Sequence, residues 1–148
     1  MFPNAKPSER MSLLATLEPV SQSATTVLTT YVPVKNFQTL VALLQTGVLG
    51  ASATVDAKLR QAQDASGTNV KDITGKAVTQ IVKATGDAKQ VLINLKTADL
   101  DTEGGFGFVA LSVTVGTAAS LISAALWGCD PRFMPADSLN QAGVVQVV

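Results

Sequence analysis

Ala53-Thr54-Val55-Asp56-Ala57-Lys58-Leu59-Arg60-Gln61 alternates without a break. Ala53, Val55, Ala57 and Leu59 point one way and Thr54, Asp56, Lys58 and Arg60 the other. A period of two with one apolar and one charged face is a half-buried strand. The same period recurs on both sides of it. Phe106 to Val115 sets Val109, Leu111, Val113 and Val115 on one face, and Gln90 to Lys96 alternates through Val91, Ile93 and Leu95. Thr25 to Val32 is rich in Thr and Val and is closed by Pro33. Val70–Ile73 and Ala77–Val82 read as short strands parted by Gly75-Lys76, and Ser120 to Trp127 follows a Gly116 turn. Phe37 to Gln45 is apolar on both faces, as expected of a strand covered on both sides.

About eight short strands with Gly-centred turns, and no amphipathic helix between them, predict an all-β fold. The expected architecture is an antiparallel β-sandwich, jelly-roll-like, over residues 25–129. Residues 1–24 hold Pro3, Pro7 and Pro19 and read as an N-terminal arm. Within it, Ser8 to Leu17 suits a short helix capped by Ser8 and ended by Pro19. Residues 130–148 read as a C-terminal arm or edge strand. Its Val144-Val145-Gln146-Val147-Val148 run would be an aggregation hazard if left free, so it is expected to pair with a strand. The rival reading makes Leu40–Leu44 or Ala118–Leu126 helical, since Ala and Leu favour helices.

Composition narrows the function. Eleven basic and eleven acidic residues cancel, so binding that rests on phosphate neutralisation is not expected, and nucleic acid is not a predicted partner. Charged residues are 15% of the chain, against roughly 25% in an average soluble protein. A lone domain of 148 residues normally keeps its surface wet with charge, so thin cover points to burial against neighbours or in a membrane. Two long uncharged stretches, 36–55 and 104–129, are interrupted by Gly, Gln, Ser and Thr. They suit strands and turns better than membrane spans, and no membrane is predicted.

No His is present and Cys129 is the only cysteine, which removes the commonest general base and any Cys-rich zinc site. Asp99-Leu100-Asp101-Thr102-Glu103-Gly104 imitates the opening of a calcium loop, with oxygen ligands at alternate positions. The acid expected at position twelve falls on Ala110, so Asp99, Asp101 and Glu103 read first as an acidic loop between strands. Thr74-Gly75-Lys76 and Gly104-Gly105-Phe106-Gly107 lack the spacing of phosphate-binding loops. No catalytic group and no cofactor is predicted. Trp127 reads first as core. As a second reading it joins Leu13, Leu14, Leu17 and Phe133 as a candidate partner contact, because large apolar side chains concentrate at interface hot spots.

Four segments carry a resemblance. They are Val55-Asp56-Ala57-Lys58-Leu59-Arg60-Gln61-Ala62-Gln63-Asp64 and Lys71-Asp72-Ile73-Thr74-Gly75-Lys76-Ala77, then Val109-Ala110-Leu111-Ser112-Val113-Thr114-Val115-Gly116-Thr117-Ala118 and Gly128-Cys129-Asp130-Pro131-Arg132-Phe133. In this order the chain, over residues 37–135, resembles virion structural proteins of tailed bacteriophages. Within that group it looks most like capsid decoration (cement) or head-stabilising proteins. The resemblance implies a β-sandwich, no enzymatic activity, the major capsid protein as partner, and homo-oligomeric or lattice contacts. It also implies a place in the virion, assembled in the host cytoplasm. A head–tail joining or tail protein, and a carbohydrate-binding module for host attachment, are the alternatives.

Overall fold

The computed structural model describes residues 4–148, so Pro3 of the expected arm lies outside it. Ten strands form two antiparallel sheets. The strands are β1 (Met11–Gln22), β2 (Thr26–Leu28), β3 (Val32–Pro33), β4 (Phe37–Thr46), β5 (Thr54–Ala62), β6 (Lys71–Ala77), β7 (Ile81–Val82), β8 (Gln90–Lys96), β9 (Phe108–Gly116) and β10 (Ser120–Pro131). One sheet, here sheet A, runs β1-β10-β4-β8. The other, sheet B, runs β2-β9-β5-β6, with β3 also on β9 and β7 also on β5. β1 pairs with β10, β2 and β3 with β9, β4 with β8, and β5 with β6 and β7. These pairs are nested: one long antiparallel ribbon is folded over on itself. That is the jelly roll, and it is an all-β sandwich.

The alternation of β5 sets the core. Val55 and Leu59 are wholly buried and lie opposite Val115 and Leu111 of β9, with Val113 and Val109 two residues to either side of Leu111 on the same face. From sheet A, Leu40, Leu44, Leu95 and Leu126 meet them across the sandwich interior. The two segments whose composition favoured helix, Leu40–Leu44 and Ala118–Leu126, lie in or lead into β4 and β10. Pairing on both edges and burial of alternate residues override intrinsic propensity there.

The structure departs from four expectations. The helix expected over Ser8–Leu17 is one turn, Pro7–Arg10, and from Met11 the chain is strand β1. A register shift between Leu13 and Ala15 lets Leu14 and Ala15 both face inward, and a second lies between Leu17 and Val20, around Pro19. A proline is tolerated there because β1 is an edge strand and the irregularity needs no ladder donor. Residues 11–22 are therefore part of the sandwich, not of an arm. The expected strand 25–32 is split in two at Thr29. Its hydroxyl accepts from the Leu111 amide at 3.0 Å, in place of a backbone carbonyl, while its own amide donates to Leu111 O at 3.0 Å.

Finally, the Val-rich run does not pair. After β10, a 3-10 turn (Ala136–Leu139) buries Ala136, and the chain then straps the free edge of β1. The Leu13 amide donates to Asn140 Oδ1 at 2.7 Å and Leu13 O accepts from the Gln141 amide at 2.8 Å; the Ser12 hydroxyl donates to Ala136 O. Beyond the strap, residues 144–148 have no regular structure, with Val145 95% exposed.

Candidate functional site

The two outer faces of the sandwich differ in chemistry. On sheet B, Lys58 Nζ and Arg60 Nε donate to the two oxygens of Asp72 at 2.7 and 2.9 Å, and Gln80 Nε2 donates to Asp56 at 2.8 Å. The Lys58 hydrogen bond, reinforced by the charges of Lys58 and Arg60, holds the Asp72 carboxyl below its ordinary range. This face supplies its own polar cover.

Sheet A does not. The inward residues of β10 and β4 are buried, and the outward ones fall into cross-strand rows. Leu13, Trp127, Val41 and Asn94 form one row; Thr16, Ala125, Leu43 and Leu92 form the next. Met11, Cys129, Thr39 and Lys96 lie on one side of them, and Ser123, Gln45 and Gln90 on the other. Lys96, at a corner, is the one charge in these four rows. Val41, Leu43 and Trp127 are half-buried by one another, while Leu92 is 63% exposed. Leu13, Trp127 and Val41 in one row and Ala125, Leu43 and Leu92 in the next make an apolar patch bounded by Asn94 and Thr16, the kind of surface that marks an interaction site.

Of the sequence-predicted contacts, the structure brings two together. Leu13 stands opposite Trp127 on the outward face of sheet A. The first reading of Trp127 as core is thereby corrected. Leu14 is a core residue, 7% exposed, and cannot reach a partner. Leu17 pairs with Ala124 and packs against the core from its margin. Phe133, 71% exposed, lies in the loop after β10, outside the rows. Sequence reasoning missed Val41, Leu43 and Leu92. The signal was β4 itself, which reads as a strand covered on both faces; the chain covers only one.

The acidic loop is tied down by lysines. Asp99 accepts from the Lys96 amide and pairs with Lys76 at 3.3 Å, and these contacts hold its carboxyl low. Asp101 pairs with Lys71 and accepts from the Gly104 amide, which lowers it likewise. Lys71 also sits 4.2 Å from the Phe106 ring centroid. Glu103 is exposed on the turn. Among the described residues no three acidic or cysteine side chains converge on a metal position.

A cleft of about 660 Å³ at the Lys96 corner is lined by Thr39, Val41, Asn94, Lys76, Asp99 and Cys129, among others. Burial, aided by the Asp130 charge, pushes the Cys129 thiol above its ordinary value. No helix of the described residues is long and apolar enough to cross a membrane.

No protein-family model matches the sequence, and no curated protein does. Among solved structures, the chain is similar to a chain of the Cowpea mosaic virus empty virus-like particle. Identity is 12%, 88% of this chain and 85% of that one are covered, and the TM-score is 0.48. The SPBc2 prophage-derived protein YomS is 11% identical, over 80% and 93% of the two chains, at a TM-score of 0.43. A structure described as CBM4 structure and function is 12% identical, over 74% and 62%, at 0.41. These are likenesses of strand arrangement; the class is the one that the strand order already defines, the jelly-roll sandwich.

Proposed function

We propose that the chain is a non-enzymatic virion structural protein, a capsid decoration or cement subunit that binds the assembled shell of major capsid protein. The observation that carries the reading is the apolar centre of the outward face of sheet A, at Trp127, Val41 and Leu43, with its charges, Lys96 and Asp130, confined to the margin. Sheet B, with its own ion pairs, faces solvent; sheet A faces protein. An apolar centre with a polar rim is the anatomy of a protein–protein contact. A subunit that binds only the assembled shell raises the free energy needed to take that shell apart. Because the contact is apolar, its affinity depends weakly on salt.

The test uses shells lacking the chain, from the particle whose genome encodes it. Purified chain is added and the shells are sedimented and heated. Bound chain and a raised disruption temperature are expected, both lost in Leu43→Lys, which leaves the chain's own melting temperature nearly unchanged. A folded chain that stays in the supernatant, or one that binds equally well as Leu43→Lys, overturns the reading.

A further inference from the structure

The two ends of sheet A are treated differently, and so are the four sheet edges. On β1 the edge is strapped by Asn140 and Gln141 and broken by register shifts around Pro19. On β2 it is three residues long, and on β6 it carries Lys71, Asp72 and Lys76. Strapping, bulges, proline, shortness and charge are the devices that keep an edge from pairing with another chain. β8 has none in its own sequence: Gln90-Val91-Leu92-Ile93-Asn94-Leu95-Lys96 is regular, seven residues long and uncharged up to its last residue, with Lys76 of the neighbouring β6 beside only its Asn94–Lys96 end. The Thr46 amide donates to Lys89 O at 2.8 Å, which sets the phase of the ladder. In that phase Val91, Ile93 and Leu95 bond to β4, and the N–H and C=O of Leu92 and Asn94 point out of the sheet.

The same chain holds a β-prone run that belongs to neither sheet. Val144-Val145-Gln146-Val147-Val148 is uncharged, β-branched and unpaired, with Val145 95% and Val147 46% exposed. It cannot run along its own β8. Gln141 is anchored on β1, at the opposite end of the order β1-β10-β4-β8, so the free side of β8 lies roughly 19 Å away at about 4.8 Å per strand. Residues 142–148, fully extended, span at most about 25 Å and would be used up crossing the sheet.

We infer that residues 144–148 of one copy add to the free edge of β8 of a second copy, extending sheet A from molecule to molecule. Five residues span about 17 Å, enough to pair with Leu92 and Asn94, and alternate valines would fall beside Leu92 on the apolar face. Donor and acceptor sit at opposite ends of one sheet, so the contact is head-to-tail and closes into a ring or propagates as a row. The inference deepens the shell reading and rests on it only for its purpose; its geometry is a property of the chain alone.

The experiment uses the pure full chain and two variants, in sedimentation equilibrium. Leu92→Lys guards the acceptor, and Val145→Lys/Val147→Lys guards the donor. Each alone is expected to self-associate at least about tenfold more weakly than the wild type. Mixed, they restore one intact contact and give a one-to-one heterodimer. In the wild type, hydrogen exchange at the Leu92 and Asn94 amides slows with concentration, and in Val145→Lys/Val147→Lys it does not; this holds even if Leu92→Lys folds poorly. A wild type that stays monomeric, variants that associate like it, or exchange that ignores the valines overturns the inference. Shell binding that survives such a result leaves the cement reading standing, and strand exchange without shell binding removes the cement reading alone.

Discussion

Gly128→Ala puts one methyl group where the structure has no room for it. Gly128 lies in β10 opposite Ser12 and Leu40, and the Phe37 ring packs flat over it. A Cβ built there would sit 2.7–2.8 Å from three ring carbons of Phe37, a side chain only 1% exposed. Ordinary carbon contact is about 3.5–4.0 Å, so ring or strand must move by close to an ångström inside a close-packed core. Overpacking costs about 1–3 kcal/mol, and this site belongs at the upper end because both neighbours are fixed by ladder pairing. With a urea slope of about 2 kcal/mol per molar, the unfolding midpoint falls by roughly 1 M. The assay is urea unfolding followed by Trp127 emission. Repeating it in a Phe37→Leu background, where the ring is gone, should recover more than half of the loss. A drop under about 0.5 kcal/mol, or the same drop in both backgrounds, refutes the packing argument.

Acid should act late. Asp64, Asp72, Asp87, Asp99 and Asp101 are all held below the ordinary carboxylate range in the folded chain, by Thr68, Lys58, Lys83, the Lys96 amide and Lys71 respectively as the leading cause. Their stabilisation is present above the unfolded value near pH 3.9 and is lost as pH falls through the folded values. With no histidine in the chain, melting temperature should be flat from pH 5 to 8 and drop below about pH 4; a transition between pH 5.5 and 7.5 contradicts this. Thr46→Val removes a buried hydroxyl that donates to Gly86 O at 2.5 Å and accepts from the Lys89 amide at 3.1 Å. It should cost about 1–3 kcal/mol by urea unfolding, by leaving both groups short of a partner. Cys129, with its thiol pushed up by burial, should alkylate more slowly at pH 7.5 than a free cysteine; faster reaction points to an activating group unaccounted for here.

The sandwich was legible where strands alternate. β5 and β8 could be placed within a residue or two because each has one dry and one wet face, and β9 because its large residues alternate with Ala, Ser and Thr although the central strand is buried on both faces. β1 could not, since Ser8 to Leu17 is a fair helix on propensity and only pairing with β10 makes it a strand. A β-bulge that turns both Leu14 and Ala15 inward breaks the period that would have shown it. The site was half legible. The thin charge of the chain and the two-faced apolarity of Phe37–Gln45 implied an uncovered surface, but not where it lay. Joining Leu13 to Trp127 and Val41 requires the order β1-β10-β4, which follows from ribbon folding between segments more than a hundred residues apart. The place of the tail was not legible for a related reason: the Val-rich run shows that it suits a strand, but not that Asn140 and Gln141 strap the β1 edge first and leave residues 144–148 outside both sheets.

Trp127 is the only tryptophan in the chain and stands on the face assigned to the shell, so its environment reports on that face alone. The most direct measurement labels the chain with 5-fluorotryptophan and compares its fluorine resonance and solvent accessibility in the free chain and in purified particles. A shifted resonance, shielded from solvent on the particle and open in the free chain, is the predicted result. A resonance that is the same and equally open in both would mean that sheet A never meets a partner, and the account would fail.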